Sequence, residues 1–273
     1  MNEISISSYS YTHNVLSCGY PFMEALACIS LLVNEVLILD GNSDDGTRDA
    51  LDWLASVCPK IKIFSCNHNW KSCQDIARSE NQAQKYTSGE FLFRLHLDEI
   101  LDIRSIENIH KNTDIISYLC KSKTLVSFNS VGSARLPVEG FRIFRKNSSI
   151  KSTSDGFLSG NFEPSENINI SFYHMPWFFP VHWKDKTNSL GPLWNWKGLF
   201  AYEIFGNRKY INIDNFSRDE LIQKVIQFSE SSNIIKDDTP FYLCSLDQFS
   251  KYHVRKYIIT DILNYKNDNL MTT

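Results

Sequence analysis

The sequence predicts an α/β fold built on a mostly parallel sheet flanked by helices, and three observations carry that prediction. Strand and helix patterns alternate in short units over the first hundred residues, the mark of a parallel sheet with right-handed crossovers. "EVLILD", residues 35–40, is a nearly unbroken apolar run, as expected of a strand covered on both faces. Acids stand where strands end, Asp40 in "LILDGNSDDGT" and Asp98 in "LHLDEIL". Sheets of this kind bind ligands beyond the carboxyl ends of their strands.

The elements follow in order. Residues 4–11 read as a strand rich in Ile, Ser and Tyr. Pro21 suits the first position of a helix, because its fixed φ is already helical. Phe22, Leu26, Ile29 and Val33 then fall at helical spacing as one apolar stripe. After the 35–40 strand, residues 47–56 read as a helix with Ala50, Leu51 and Leu54 inward. Residues 60–64 are a third strand, and 72–86 a helix that is mostly polar. Residues 91–97, "FLFRLHL", are a fourth strand running straight into Asp98 and Glu99. Later, 114–128, 138–146 and 168–174 read as strands, with a loop between the first two. Residues 174–200 are dense in tryptophan and phenylalanine. In the last sixty residues Ser217 and Glu220 form a capping-box signature, and a helical extension is expected over 206–273. The domain reading is thus 1–205 for the main domain, in halves 1–102 and 103–205, followed by that extension.

Composition narrows the function. The 273 residues are 42% apolar and 22% charged, ordinary for a globular chain. A net charge of −3 gives no electrostatic case for nucleic acid. There is no run of about 18 apolar residues that would span a bilayer, and the start lacks a secretory pattern. Seven scattered cysteines without a C-x-x-C pair favour free thiols in a reducing cytoplasm. Cys66, His68 and Cys73 fit no common zinc spacing. "KYHVRKY", 251–257, suits either a solvated helix or a peripheral contact with the inner face of a membrane.

The two acidic strand ends admit two readings. Each is a plausible cap for a following helix. If their strands are near neighbours, Asp40 and Asp98 also face one crevice and could grip a pyrophosphate through a bound cation, since Mg²⁺ and Mn²⁺ take carboxylate, phosphate and water oxygens.

"ILDGNSDDGT" and "LDE", with "ARSENQAQKYTSGEFLF" between them, resemble the motifs of family-2 glycosyltransferases of the GT-A fold. That family has a V-D-D-G-S-x-D-G-T motif and a later D-x-D at a strand end. The opening "SYSYTHNVLSCGYPFMEALACISLLVNEV" is similar to its first strand, variable loop and helix. The resemblance covers roughly residues 3–102 and continues faintly through "GFRIFRKNSSIKSTSDGF" and "SFYHMPW". Two positions depart from the pattern: Gly41 replaces a second aspartate in the first motif, and His96 replaces the first aspartate of D-x-D.

The resemblance implies a GT-A, Rossmann-like nucleotide-diphospho-sugar transferase using Mn²⁺ or Mg²⁺. The donor would be UDP- or GDP-linked, and the acceptor a glycan or a lipid-linked sugar. It places Ser10, Tyr11, Asn14, Asp40, Arg78 and His96 at the donor, and Asp98, Glu99 and His174 at the metal. It makes Asp155 the base of an inverting transfer, with Glu139 and Glu163 as alternatives. Against this stand the plain readings: Arg78 on a solvated helix face, and His174 as a core histidine in parity with Ile168, Ile170 and Phe172. The rival function is a GT-A-like protein that binds sugar or nucleotide without turnover. A sugar nucleotidyltransferase fits less well, for want of a Gly-rich basic loop after the first strand.

Overall fold

The computed structural model describes residues 4–18, 20–67, 72–105, 114–127, 130–131, 138–154, 157–174, 199–200, 210–211, 260 and 262–264. It is a mixed α/β structure. Its elements begin β1 (Ile6–Thr12), α1 (Phe22–Leu32), β2 (Glu35–Asp40), α2 (Thr47–Val57), β3 (Ile61–Ser65), α3 (Cys73–Tyr86) and β4 (Phe91–Arg94). They continue β5 (Glu99–Leu101), a 3-10 turn at Ile103–Ser105, β6 (Ser117–Ser127), β7 (Ser130–Val131), β8 (Val138–Arg145), β9 (Lys151–Ser154), β10 (Phe157–Ser159) and β11 (Ser165–His174). The expected C-terminal helices, the domain boundary at 205 and the aromatic-rich stretch fall almost wholly outside the described residues.

The main sheet runs β3-β2-β1-β4-β8-β6-β11-β5. Its first half is parallel throughout: β1 with β2, β2 with β3, and β1 with β4. The second half is mixed. β8 runs antiparallel to both β4 and β6, β11 is parallel to β6, and β5 is antiparallel to β11. The parallel sheet read from the first hundred residues therefore holds there and gives way to a mixed one beyond β4.

Side chains alternate between two faces, as the pleat requires. Val36 and Ile38 join the larger core with Phe91, Phe93 and residues of α1 and α2. Leu37 and Leu39 join a smaller core with Tyr9, Leu92, Phe144 and Ala83 of α3. This is why residues 35–40 are apolar on both parities. Helix α1 is buried from Phe22 to Leu31, because β5 as well as the parallel strands covers it. Pro21 takes the N-cap, one residue before its expected place.

At the corner entering β4, Gly89 donates its N–H to Ser7 Oγ at 2.7 Å. A Cβ there would stand 2.6 Å from the Ser7 backbone nitrogen, so the corner admits only glycine. Beside it, buried Glu35 gathers Ser7 Oγ, Ser88 N, Ser88 Oγ and Lys62 Nζ. Burial would raise this carboxyl, but those donors outweigh it and lower the pKa to about 2. A depressed acid contributes stability above its unfolded value, and that contribution is lost as pH falls towards the folded one. Between about pH 4.5 and 2 the wild type is therefore expected to lose on the order of 2–3 kcal/mol from this residue. Urea titrations at pH 7, 4.5 and 3 should show that loss, and Glu35→Gln should flatten it. Equal pH slopes in the two proteins would rule it out.

Candidate active site

Strands β2 and β4 flank β1 and run the same way. Their carboxyl ends therefore share one sheet edge, two strand spacings or about 10 Å apart. Asp40 lies at that edge, opposite Thr12. The residue is 1% exposed and its carboxylate is already engaged. Oδ1 accepts from Thr12 Oγ1 at 2.9 Å and Ser43 Oγ at 2.7 Å, and Oδ2 lies 3.8 Å from Arg48.

The rest of the acidic loop is likewise occupied, against the turn that follows β1. Ser43 Oγ accepts from Asn14 N, and Asp45 Oδ2 from Ser17 N. Asn14 and Asp44 exchange two bonds, side chain to side chain and main chain to side chain. Thr47 Oγ1 accepts from Leu16 N, and Asp45 Oδ1 from Thr47 N. Gly46 carries φ +94° where the chain turns into α2. Burial would raise the Asp45 carboxyl, yet its bonds from Thr47 and Ser17 bring it below the usual range. The run of aspartates after a buried strand thus makes a clamp that shapes the neighbouring loop.

Ser10 is buried in β1, at 2% exposure, and Tyr11 is half-buried beside it. Arg78 bonds Asp75 one turn back, with its side chain 70% exposed. That is the geometry of a solvated helix face.

The β4 end differs from its expected course. The strand stops at Arg94, residues 95–98 turn, and β5 begins at Glu99. Asp98 therefore sits in a turn between two strands rather than ahead of a helix. β5 pairs with β11, setting His174 opposite Glu99. The pairing brings His174 Nε2 to 3.6 Å from Asp98 Oδ2. Behind them Arg104 Nη2 donates to Asp102 Oδ2 at 2.9 Å and to Tyr173 Oη at 2.7 Å, anchoring β11 to the chain that leaves β5.

Glu99, 3% exposed, is held by Arg142 of β8. That arginine is a partner the sequence reading does not single out. Its one signal is a charge alternating with apolar residues in "FRIFR". His96 lies 3.8 Å from Glu80, and its Nε2 is buried without a hydrogen-bond partner among the described residues. Burial and then the charges of Arg94 and Arg142 push the imidazole well below its usual range, so His96 is neutral at pH 7. Asp155 lies outside the described residues, as does the side chain of Glu139, and Glu163 is exposed. Glu163 accepts from Ser165 N and Oγ.

Asp98 and His174 offer an oxygen and a nitrogen donor that suit Mn²⁺, with a diphosphate and water able to complete the shell. Among the described residues no group of three or more His, Cys, Asp or Glu could hold a metal. The described residues would thus supply two ligands at this place, Asp98 and His174, and Asp40 and Glu99 bond neighbours of their own.

No protein-family model matches the chain, and a search of curated proteins finds no relative. Solved structures do resemble it in outline. S. aureus TarS 1-349 in complex with UDP-GlcNAc matches at 14% identity and a TM-score of 0.43, over 97% of this chain and 92% of that one. The same protein in complex with UDP matches at 15% and 0.41, over 97% and 92%. GalNAc-T7 with UDP, GalNAc and Mn²⁺ matches at 12% and 0.42, over 69% of this chain and 48% of that one. At such identities and scores, the functional reading has to come from this chain's own residues.

Proposed function

We propose that the chain is a glycosyltransferase that takes a sugar from a UDP- or GDP-linked donor and passes it to a glycan or lipid-linked acceptor. The observation that carries this reading is the Asp98–His174 pair at the carboxyl edge of the sheet, 3.6 Å apart. The pair suits a divalent cation bound together with a diphosphate. Such an ion supplies charge neutralisation at the departing diphosphate, worth most where that charge grows. The clamp between residues 14–17 and 43–47 gives the donor edge a preformed wall. Asp155 remains the proposed base for an inverting transfer. Among the described residues no helix is long and apolar enough to cross a membrane, and a cytoplasmic site with peripheral membrane contact stays part of the proposal.

The rival is binding without turnover. One observation favours it: His96 and Glu99, the two neighbours of the metal position, are respectively neutral and neutralised by Arg142. Calorimetry with Mn²⁺ and UDP, GDP, CDP or dTDP tests the shared premise. One nucleotide should bind only with metal, and Asp98→Ala should weaken it by roughly 100-fold, about 2.7 kcal/mol. Unchanged binding in Asp98→Ala would overturn the site. Hydrolysis of the matching nucleotide sugar then separates enzyme from binder.

A further inference from the structure

We infer that Arg142 is the anion-binding residue of this edge and takes the diphosphate of the donor, with Glu99 as the residue that positions it. The inference rests on the donor-site reading and names the group that would meet the phosphates.

Arg142 lies on β8, and the sheet order puts β6 and β11 between it and β5. Its side chain nevertheless reaches Glu99, in a sheet curved enough to let the two meet. The position reached is one residue from Asp98 and in register with His174. Arg94 spends its fork on both oxygens of Glu80, through Nε and Nη2. Arg142 instead bonds one oxygen through Nη2 alone. A guanidinium carries five N–H donors in a rigid plane that matches phosphate as well as carboxylate. Among the described residues its remaining donors are not consumed, and 18% of its side chain is open to solvent.

The surroundings favour an anion. The buried Nε2 of His96 has no hydrogen-bond partner among the described residues. In its Nε2–H tautomer this neutral imidazole has a hydrogen bond to give to a phosphate oxygen. Glu99 fixes the guanidinium from one side and leaves the other for the ligand, which spares the ordering cost on binding.

The test compares UDP with uridine by calorimetry in the presence of Mn²⁺, using GDP and guanosine if those are the preferred pair, and adds pyrophosphate alone. Arg142→Gln should weaken UDP and pyrophosphate about tenfold or more while uridine stays within about twofold. Arg142→Lys, a point charge without the fork, should fall between. Because Gln at 142 leaves a buried carboxylate unpaired, Arg142→Gln/Glu99→Gln is measured alongside, and it should show the same selective loss. If UDP and uridine weaken equally in the double variant, or neither changes, Arg142 is a structural ion-pair residue and the inference fails. Wild-type binding of pyrophosphate but of no nucleotide would sink the donor reading while keeping the anion site. Wild-type binding of neither would sink both.

Discussion

Glu80→Ala is expected to cost the fold about 3–5 kcal/mol, the usual penalty for stranding one half of a buried ion pair. Arg94 and Glu80 are 2% and 1% exposed as side chains. Two parallel bonds of 2.9 Å join Nε to Oε1 and Nη2 to Oε2. Burial opposes the charge on Arg94, and the adjacent Glu80 carboxylate outweighs it, so the guanidinium is held more firmly charged than usual. Without Glu80 that cation has no counter-charge in a dry layer between β4 and α3. Replacing both groups by apolar side chains of similar size removes the desolvation cost as well, and such exchanges are often neutral or stabilising. Arg94→Met/Glu80→Leu should therefore be more stable than Glu80→Ala, and urea unfolding of the single and double variants measures the difference. A loss below about 1 kcal/mol for Glu80→Ala would mean that water reaches Arg94 and that the layer is not dry.

The same layer explains why α3, expected over 72–86 and found over Cys73–Tyr86, reads as a mostly polar helix. Its stretch looks polar because its inward side chains hydrogen-bond rather than pack by oil contact. Glu80 meets Arg94, Gln84 meets Tyr9 Oη, and Asn81 exchanges two bonds with the backbone of Ser152 in β9. Hydrophobic periodicity registers none of these. Apart from α3, the alternating elements from β1 to β4 were legible because each buries an apolar stripe or run that local spacing reveals, and their ends fall within a residue or two of expectation except at β4, which stops at Arg94 rather than at residue 97. β5 was not. "EIL" extends the pattern of the preceding strand, yet its partner is β11, far along the chain. That break decides where Asp98 points. The β9–β10 hairpin was hidden for another reason: β9 is "KSTS", four polar residues whose alternating burial leaves no apolar period in the sequence, and β10 has only three residues. At the site, Asp40 was recognisable as a strand-end acid, and Asp98 sits instead in the turn between β4 and β5. Their partners were not legible, since Ser43 and Thr12 claim one and His174 approaches the other only through sheet pairing.

Phe172→Ala is expected to lose about 3–5 kcal/mol, as large-to-small changes at fully buried aromatics do. Phe172 is 1% exposed, and its ring lies 5.3 Å from that of Phe93 at a 53° tilt. Both belong to the larger core. Their strands are separated in the sheet by β8 and β6, so this contact ties the mixed half back to the parallel half across the curve. Alanine would leave a void lined by Phe93 and its neighbours, and strands bonded on both sides cannot close it readily. β11 is paired with both β6 and β5 at this point, with Phe172 opposite Ser122 and Leu101. Phe172→Leu keeps most of the volume and should cost less than half as much. Phe157, 62% exposed, provides the contrast, and its alanine variant should stay within about 0.5 kcal/mol of wild type. A small loss for Phe172→Ala would mean that the ring is not what fixes β11. The position of His174, two residues further on, would then rest on the strand pairing with β5 and β6 and on the Arg104–Asp102–Tyr173 network.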